Sequence, residues 1–151
     1  MEWSEVVDNP MFRDLPFKIE LTRFGKILMS PASNQHGRIQ GRLAGMLWSR
    51  HPEGEVIAEC SIQTGDGVKV ADVAWASSAF LEEFANLTPY PKAPELCAEI
   101  VSPSNSKAEI AEKVSLYLET GAQEVWVIYE DRHLEIFSHR GAEADVASSL
   151  F

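Results

Sequence analysis

Two acidic residues stand inside short apolar runs, where a carboxylate is costly unless it is paired or binds a metal ion. Asp72 interrupts the run Val68–Trp75, and Glu99 interrupts the run Leu96–Val101. Lys113 follows on a segment for which a helix is predicted. Carboxylates bind hard cations such as Mg²⁺ or Mn²⁺, and a nearby lysine stabilises charge that develops on a phosphate. The three residues therefore indicate a divalent-metal site for phosphodiester hydrolysis.

A third oxygen ligand is available beside Glu99, because the backbone carbonyl of Ile100 can add to the two carboxylates if their strands are neighbours. Lys113 lies about 60° from Ile110 on a helical projection, at the margin of the apolar face. Its ammonium can therefore reach the sheet while its stem packs on apolar surface. The same residues also fit ordinary roles: a solvent-facing aspartate on an edge strand, a paired glutamate and a solvated lysine.

The elements that must position these residues alternate between strands and helices. Strands are predicted over 17–22, 26–29, 55–63, 68–76, 95–101, 125–129 and 133–138, and helices over 33–50, 77–87 and 105–120. The segments 95–101, 105–120 and 125–129 form a right-handed crossover, and hence a pair of parallel strands. Hairpins on both sides make the sheet mixed, so the predicted fold class is α/β, a mixed sheet flanked by helices.

Length and composition indicate one globular domain over residues 1–151, with an irregular lead-in over 1–16 and a loose tail over 141–151. The chain is 45% apolar and 24% charged, and it is long enough to bury a core. It contains neither an apolar run that could span a bilayer nor a signal-peptide core. Cys60 and Cys97 lie in apolar segments without metal-ligand spacing, so buried reduced thiols in a cytoplasmic protein are expected.

The net charge of −10 counts against nucleic-acid binding, because affinity for phosphates needs clustered lysine or arginine. The 13 basic residues can still form local patches. Arg38, Arg42 and Arg50 share one predicted helix, and Lys107 and Lys113 share another. Bound metal ions supply part of the missing positive charge in an acidic nuclease.

Three glycines, Gly37, Gly41 and Gly45, recur at four-residue intervals in the predicted helix 33–50. Each costs about 1 kcal/mol relative to alanine in a helix interior. The spacing favours a flat face that packs closely on the sheet over a dimerisation motif, whose known role belongs to membranes.

Several blocks of sequence carry a family resemblance. Leu-Pro-Phe-Lys-Ile-Glu-Leu spans 15–21, Gly-Lys-Ile-Leu-Met-Ser-Pro-Ala-Ser spans 25–33 ahead of His36, and Val-Ala-Asp-Val-Ala-Trp spans 70–75. Glu-Ile-Val-Ser-Pro-Ser spans 99–104, followed by Lys113, Tyr117 and Gly-Ala-Gln-Glu-Val-Trp-Val-Ile over 121–128. Together these blocks resemble the Uma-two family of restriction endonucleases, over roughly the first 140 residues.

The resemblance implies a PD-(D/E)XK nuclease, a restriction-endonuclease-like fold built on a mixed sheet flanked by helices. It carries the two metal-ligand positions over to Asp72 and Glu99. The superfamily lysine normally stands two residues after the second acidic position, where this chain has Val101. The resemblance assigns its role to Lys113 on the following helix. Ala71 replaces the usual proline of the first motif, which removes no ligand.

Three further residues are predicted as accessory groups at this site. The family often has an acidic residue at the position of Glu20, while His36 and Gln40 can face the site from the first long helix.

The sequence therefore predicts a Mg²⁺- or Mn²⁺-dependent endonuclease that acts on DNA rather than RNA, without a membrane partner. A homodimer is expected, because one small nuclease domain cuts one strand at a time. An interaction module of the same fold that does not cleave, used for dimerisation or partner binding, is the alternative that the acidic charge favours. An RNA-directed nuclease is a second alternative.

Overall fold

The chain is described over residues 1–13 and 17–143 from a computed structural model. Within these ranges the strands are β1 (Phe17–Leu21), β2 (Ile27–Pro31), β3 (Glu55–Thr64), β4 (Gly67–Ala76), β5 (Leu96–Ile100), β6 (Glu124–Ile128), β7 (Leu134–Ser138) and β8 (Gly141–Glu143). The helices are α1 (Trp3–Asp8), α2 (Asn34–Arg50), α3 (Ser78–Phe84) and α4 (Lys107–Glu119), with a 3₁₀ turn over Pro10–Phe12.

The predicted strands and helices are confirmed in type and order, and both ends of the chain add structure. The prediction of an irregular lead-in is wrong for Trp3–Asp8, which forms α1. At the other end, Gly141–Glu143 pairs with β7 as a strand rather than a loose tail. Residues 14–16 and 144–151 lie outside the described ranges. None of the described helices is long and apolar enough to cross a membrane.

The described strands form one eight-stranded mixed sheet. Along its main path the order is β2-β1-β4-β5-β6-β7-β8, and β3 pairs with β4. The parallel pairing of β5 with β6 confirms the predicted crossover through α4. The α/β fold class is therefore confirmed.

Helices cover both faces of this sheet. On one face α2 packs against β4, β5 and β6 through Ile39, Leu43 and Leu47. On the other face α4 packs through Ile110, Val114 and Tyr117. Alternate residues of β5 and β6 enter the two cores, so both strands are buried on both sides. Each fully buried aliphatic side chain contributes about 1.5–3 kcal/mol from the removal of apolar surface from water.

The predicted packing of the glycines on the sheet is wrong. A Cβ atom added to Gly37, Gly41 or Gly45 would meet nothing within 4 Å, so this side of α2 faces away from the core. The helix instead buries its aliphatic side chains, and Ser33 caps its start by accepting a hydrogen bond from the His36 N–H.

One edge of β4 is shared between two strands. Strand β1 reaches it at Val68, opposite Leu21, and β5 pairs with it from Val73 to Trp75. Gly67 allows the approach of β1, because its φ is +76° and an added Cβ would lie 2.1 Å from the Leu21 carbonyl oxygen. The sheet consequently opens between β1 and β5, along residues 69–72 of β4.

Candidate active site

Acidic side chains take the place of missing strand partners in this opening. Glu20 Oε2 accepts a 2.7 Å hydrogen bond from the Val70 N–H, and Asp72 Oδ2 accepts a 2.8 Å bond from the Ile100 N–H. Buried backbone donors need partners, so the two carboxylates compensate for the separation of β1 from β5. Both are consequently fixed in position by backbone atoms.

The other edge of β4 is also interrupted at Asp72. The pairing of β3 with β4 skips Glu59, which faces Asp72 and has the left-handed φ of 55°. Gln40 fills the break: its Nε2 donates to the Asp72 carbonyl at 2.7 Å and to Glu59 Oε1 at 3.1 Å. A non-glycine residue in this conformation is strained, and such strain concentrates at functional sites.

Asp72 lies at the centre of the opening with a residue exposure of 1%. Its Oδ1 contacts Lys18 Nζ at 3.1 Å, and its Oδ2 contacts His36 Nε2 at 3.3 Å. Burial opposes ionisation, but Lys18 and the hydrogen bonds from His36 and Ile100 outweigh it and hold the pKa of Asp72 well below its usual range. Asp72 is therefore a carboxylate at neutral pH. The hydrogen bond to Asp72 in turn raises the pKa of His36.

Glu99 extends from β5 into the same opening and is 3% exposed. Its Oε2 lies 3.0 Å from Lys18 Nζ. Its Oε1 accepts a 2.6 Å hydrogen bond from the Tyr117 hydroxyl and lies 3.4 Å from Lys113 Nζ. Burial raises the pKa of Glu99, and the two lysines oppose that shift.

The lysines and carboxylates alternate along one connected network. Lys18 joins Asp72 to Glu99, and Lys113 joins Glu99 to Glu20, whose Oε2 lies 2.8 Å from Lys113 Nζ. Burial alone would lower the pKa of Lys18, but the surrounding carboxylates hold it well above its usual range. Burial of Glu20 is likewise outweighed by Lys18 and Lys113, which lower its pKa. When all three carboxyl groups are ionised, the two ammonium groups leave one net negative charge on the network.

A cavity of about 590 Å³ opens onto this network. Its wall includes Lys18, His36, Asp72, Glu99 and Lys113. The first residues of the chain add apolar lining with Trp3, Val6 and Phe12. The volume is ample for a small polar group such as a phosphate beside the carboxylates.

All the residues singled out from the sequence meet at this opening. They are Glu20, His36, Gln40, Asp72, Glu99, Ile100 and Lys113. Their contacts are structural facts, whereas their roles in metal binding and catalysis stay predictions. The apolar patterns in the sequence did not indicate Lys18 as the partner of both carboxylates. One signal was available: Lys18 and Glu20 are two residues apart on a strand and so share a face.

The carboxylate oxygens of Asp72 and Glu99 have the right chemistry for a hard divalent cation, and the ammonium of Lys18 already lies between them. Within residues 1–13 and 17–143, no group of three or more histidine, cysteine or acidic side chains is arranged to hold a metal. Mg²⁺, however, is commonly bound by one or two carboxylates, with water and substrate phosphate completing its shell. Asp72 and Glu99 fit that requirement, and the ammonium of Lys18 bridges them as a cationic stand-in.

The sequence matches the Uma2 family, described as "Putative restriction endonuclease", over residues 10–148. The chain belongs to the Uma2 family. This membership confirms the resemblance seen in the sequence and supports a nuclease function for this Uma2 chain. A comparison with curated proteins gave no match.

Two solved structures resemble this Uma2 chain to different extents. The first is a crystal structure described as "a putative nuclease belonging to DUF820" from Anabaena variabilis ATCC 29413, with a TM-score of 0.67 and 19% identity. The match covers 83% of this chain and 74% of that one, and it shows the shared fold. The second, a cryo-electron microscopy structure of a DrdV–DNA complex, has a TM-score of 0.41 and 10% identity. It covers 75% of this chain and 12% of that one, which is too weak to bear on fold or function.

Proposed function

We propose that the protein is a metal-dependent endonuclease that hydrolyses phosphodiester bonds in DNA. The observation that carries the proposal is the pair of buried carboxylates, Asp72 and Glu99, held against the ammonium of Lys18 at the wall of a cavity. A buried pair of like charges is costly, and a fold retains it where the pair binds something. Membership in a family described as restriction endonucleases supports DNA as the substrate.

Asp72 and Glu99 would hold Mg²⁺ or Mn²⁺, with the Ile100 carbonyl as a further oxygen ligand. When bound, the cation would supply activation of water and neutralisation of charge on the phosphate. The residues of the chain prepare this site in advance. His36 and the Ile100 N–H fix Asp72, and Tyr117 fixes Glu99, so neither carboxylate has to reorganise.

Lys113 would stabilise the attacking or leaving oxygen. Its ammonium is held by Glu20 at 2.8 Å and by Glu99 at 3.4 Å, while its side chain keeps an exposure of 17% at the cavity wall. One of its three N–H donors therefore stays available for a phosphate oxygen. Glu20 acts as a positioning residue for Lys113 in this scheme.

Helix α2 is the proposed contact surface for the nucleic-acid backbone. Between Glu20 and Glu53 the chain has no acidic residue, although it contains 23 elsewhere. The same stretch contains five basic residues: Arg23, Lys26, Arg38, Arg42 and Arg50. Arg38 and Arg42 lie one turn apart on the exposed side of α2 and make no ion pair within the described residues. Arg38 lies about 200° around the helix from His36 and from Gln40, so phosphates bound there would be separated from the cavity by the width of α2, about 10 Å.

A homodimer belongs to the same proposal, because cleavage of both strands of a duplex requires two sites. Sedimentation velocity at micromolar concentration tests it. A dimer that persists on dilution to the assay concentration is expected, and a monomer throughout would contradict it.

The second candidate, a module of the same fold that does not cleave, is favoured by one observation. Lys18 and Lys113 already balance most of the charge of the three carboxylates without any metal ion. Such a module would keep its structure in a chelator and show no affinity for Mn²⁺.

The deciding experiment incubates the protein with supercoiled plasmid, and separately with short DNA and RNA strands, in Mn²⁺, Mg²⁺ or chelator. We expect metal-dependent nicking of plasmid that is lost in Asp72→Asn and in Lys113→Ala. Asp8→Asn and Lys107→Ala are matched controls, since both residues are exposed, and Lys107 shares α4 with Lys113. Cleavage retained by a folded Asp72→Asn variant would contradict the site, and cleavage of RNA alone would redirect the substrate.

A further inference from the structure

Each carboxylate at the centre of the opening has one oxygen bound by the rest of the fold. Asp72 Oδ2 accepts from the Ile100 N–H and contacts His36. Glu99 Oε1 accepts from Tyr117 and contacts Lys113. These oxygens are committed to holding the side chains in place.

The other two oxygens share one partner. Asp72 Oδ1 and Glu99 Oε2 both contact Lys18 Nζ, at 3.1 and 3.0 Å, and neither has another hydrogen bond or ion pair within the described residues. Lys18 therefore occupies the point between the two oxygens that the fold leaves free. A lysine ammonium is a compact point charge on a flexible stem, so it can move without disturbing the strand that bears it.

We propose that Lys18 is an exchangeable counter-cation, which joins Asp72 to Glu99 until a divalent cation replaces it and then presents its ammonium to the substrate phosphate. The inference rests on the proposed metal-dependent function and adds a residue and a step to it. Lys18 lines the same cavity as the two carboxylates and its side chain is 10% exposed, so its ammonium can move into the cavity without a backbone shift.

Lys113 is the fixed counterpart of Lys18. Its shortest contact is to Glu20, whose Oε2 also accepts from the Val70 N–H and does not line this cavity. Replacement of Lys18 by a divalent cation leaves those contacts intact. Because Lys18 stays in the cavity, the divalent cation adds two positive charges to the site, and these offset part of the charge of a bound phosphate.

Calorimetric titration of the full chain with Mn²⁺ tests this exchange, using wild type, Lys18→Met and Lys18→Arg. Lys18→Met removes the competing charge, so we expect Mn²⁺ to bind about tenfold more tightly than to wild type. Lys18→Arg allows a bidentate pair with a carboxylate and should bind Mn²⁺ more weakly than wild type. Lys26→Met, a control at an exposed lysine of the same hairpin, should leave the affinity unchanged.

Thermal unfolding supplies a second readout. In chelator, Lys18→Met should melt below wild type because Asp72 and Glu99 then repel each other, and Mn²⁺ should restore more stability to it than to wild type. Should Lys18→Met fail to fold, the Lys18→Arg titration still decides the matter, because unchanged or tighter Mn²⁺ binding by that variant would overturn the inference.

The two proposals fail in different ways. Mn²⁺ binding by wild type with no gain in Lys18→Met would overturn the exchange and leave the metal site intact. Absence of Mn²⁺ binding in wild type and in Lys18→Met would overturn both. An affinity for Mn²⁺ that falls from Lys18→Met to wild type and then to Lys18→Arg supports both.

Discussion

The hydroxyl of Tyr117 donates a 2.6 Å hydrogen bond to Oε1 of Glu99, and both side chains are buried. Burial and the nearby carboxylates raise the pKa of Tyr117 well above its usual range, so the phenol keeps its proton and remains a donor. The bond holds Glu99 by one oxygen and leaves the other at the cavity. The core packing of α4 thus determines the orientation of a carboxylate on β5.

Tyr117→Phe should lower the free energy of unfolding by about 1–3 kcal/mol, because a buried carboxylate loses its shortest hydrogen bond. Urea unfolding measures the change. Tyr90→Phe is the matched control, since its hydroxyl donates to a neutral acceptor, the Ala85 carbonyl, at 3.1 Å. That control should cost about 1 kcal/mol. Equal losses in the two variants would mean that the charge of Glu99 adds nothing to the bond.

Gly41→Ala should stabilise the protein by about 1 kcal/mol, because alanine is the better helix former and its Cβ would meet nothing within 4 Å. Gly67→Ala is the contrasting change. Its φ of +76° is unfavourable for alanine, and the added Cβ would collide with the Leu21 carbonyl oxygen. Thermal unfolding should shift upward for Gly41→Ala and downward for Gly67→Ala. A loss of stability in Gly41→Ala would show that this side of α2 is covered in solution.

The double variant Arg38→Gln/Arg42→Gln should bind short duplex DNA more weakly, with less dependence on salt. Each lost phosphate contact lowers the slope of log K against log salt by about 0.9, so a decrease of about 2 is expected. Fluorescence anisotropy in a chelator, which prevents cleavage, measures this slope. The control is the double variant Lys92→Gln/Arg140→Gln, which removes the same charge from exposed positions outside the stretch between Glu20 and Glu53. Identical slopes in the two double variants would rule out α2 as the contact surface.

Burial raises the pKa of Cys60 from 9.0 to about 12. Because the folded state raises this pKa, the resulting stability is fully present below about pH 9 and is lost as the pH rises toward 12. Between pH 8 and 10.5, wild type should therefore lose more free energy of unfolding than Cys60→Ala. Urea titrations at several pH values measure the difference, and parallel curves for the two proteins would contradict it.

Asp72 and Glu99 were predictable because each breaks an apolar strand pattern, which is a local signal. Lys113 was predictable because it lies at the margin of a helical apolar face. Both signals depend only on sequence period and on the cost of burying charge. The resemblance to a known family then supported this pair and added Glu20.

Other features depend on contacts between distant segments or on the phase of a helix. The opening in β4 arises where β1 and β5 share one edge, and a sequence pattern does not specify that register. Lys18 received no role because its partners lie 54 and 81 residues away. The glycine prediction was wrong for a simpler reason: Gly41 lies about 200° from Ile39 around the helix, so the two cannot share a packed face.

The left-handed residue Glu59 has a second consequence, for the behaviour of the protein in concentrated solution. Strand β3 pairs with β4 on one side, and on its other side the only backbone pairing found among the described residues is the short bridge between Ile62 and Tyr90. Regular outer strands invite pairing with strands of other molecules, and local irregularities and charged side chains prevent it. The interruption at Glu59 places both in the middle of β3. The distortion that frames Asp72 therefore also protects the sheet against aggregation.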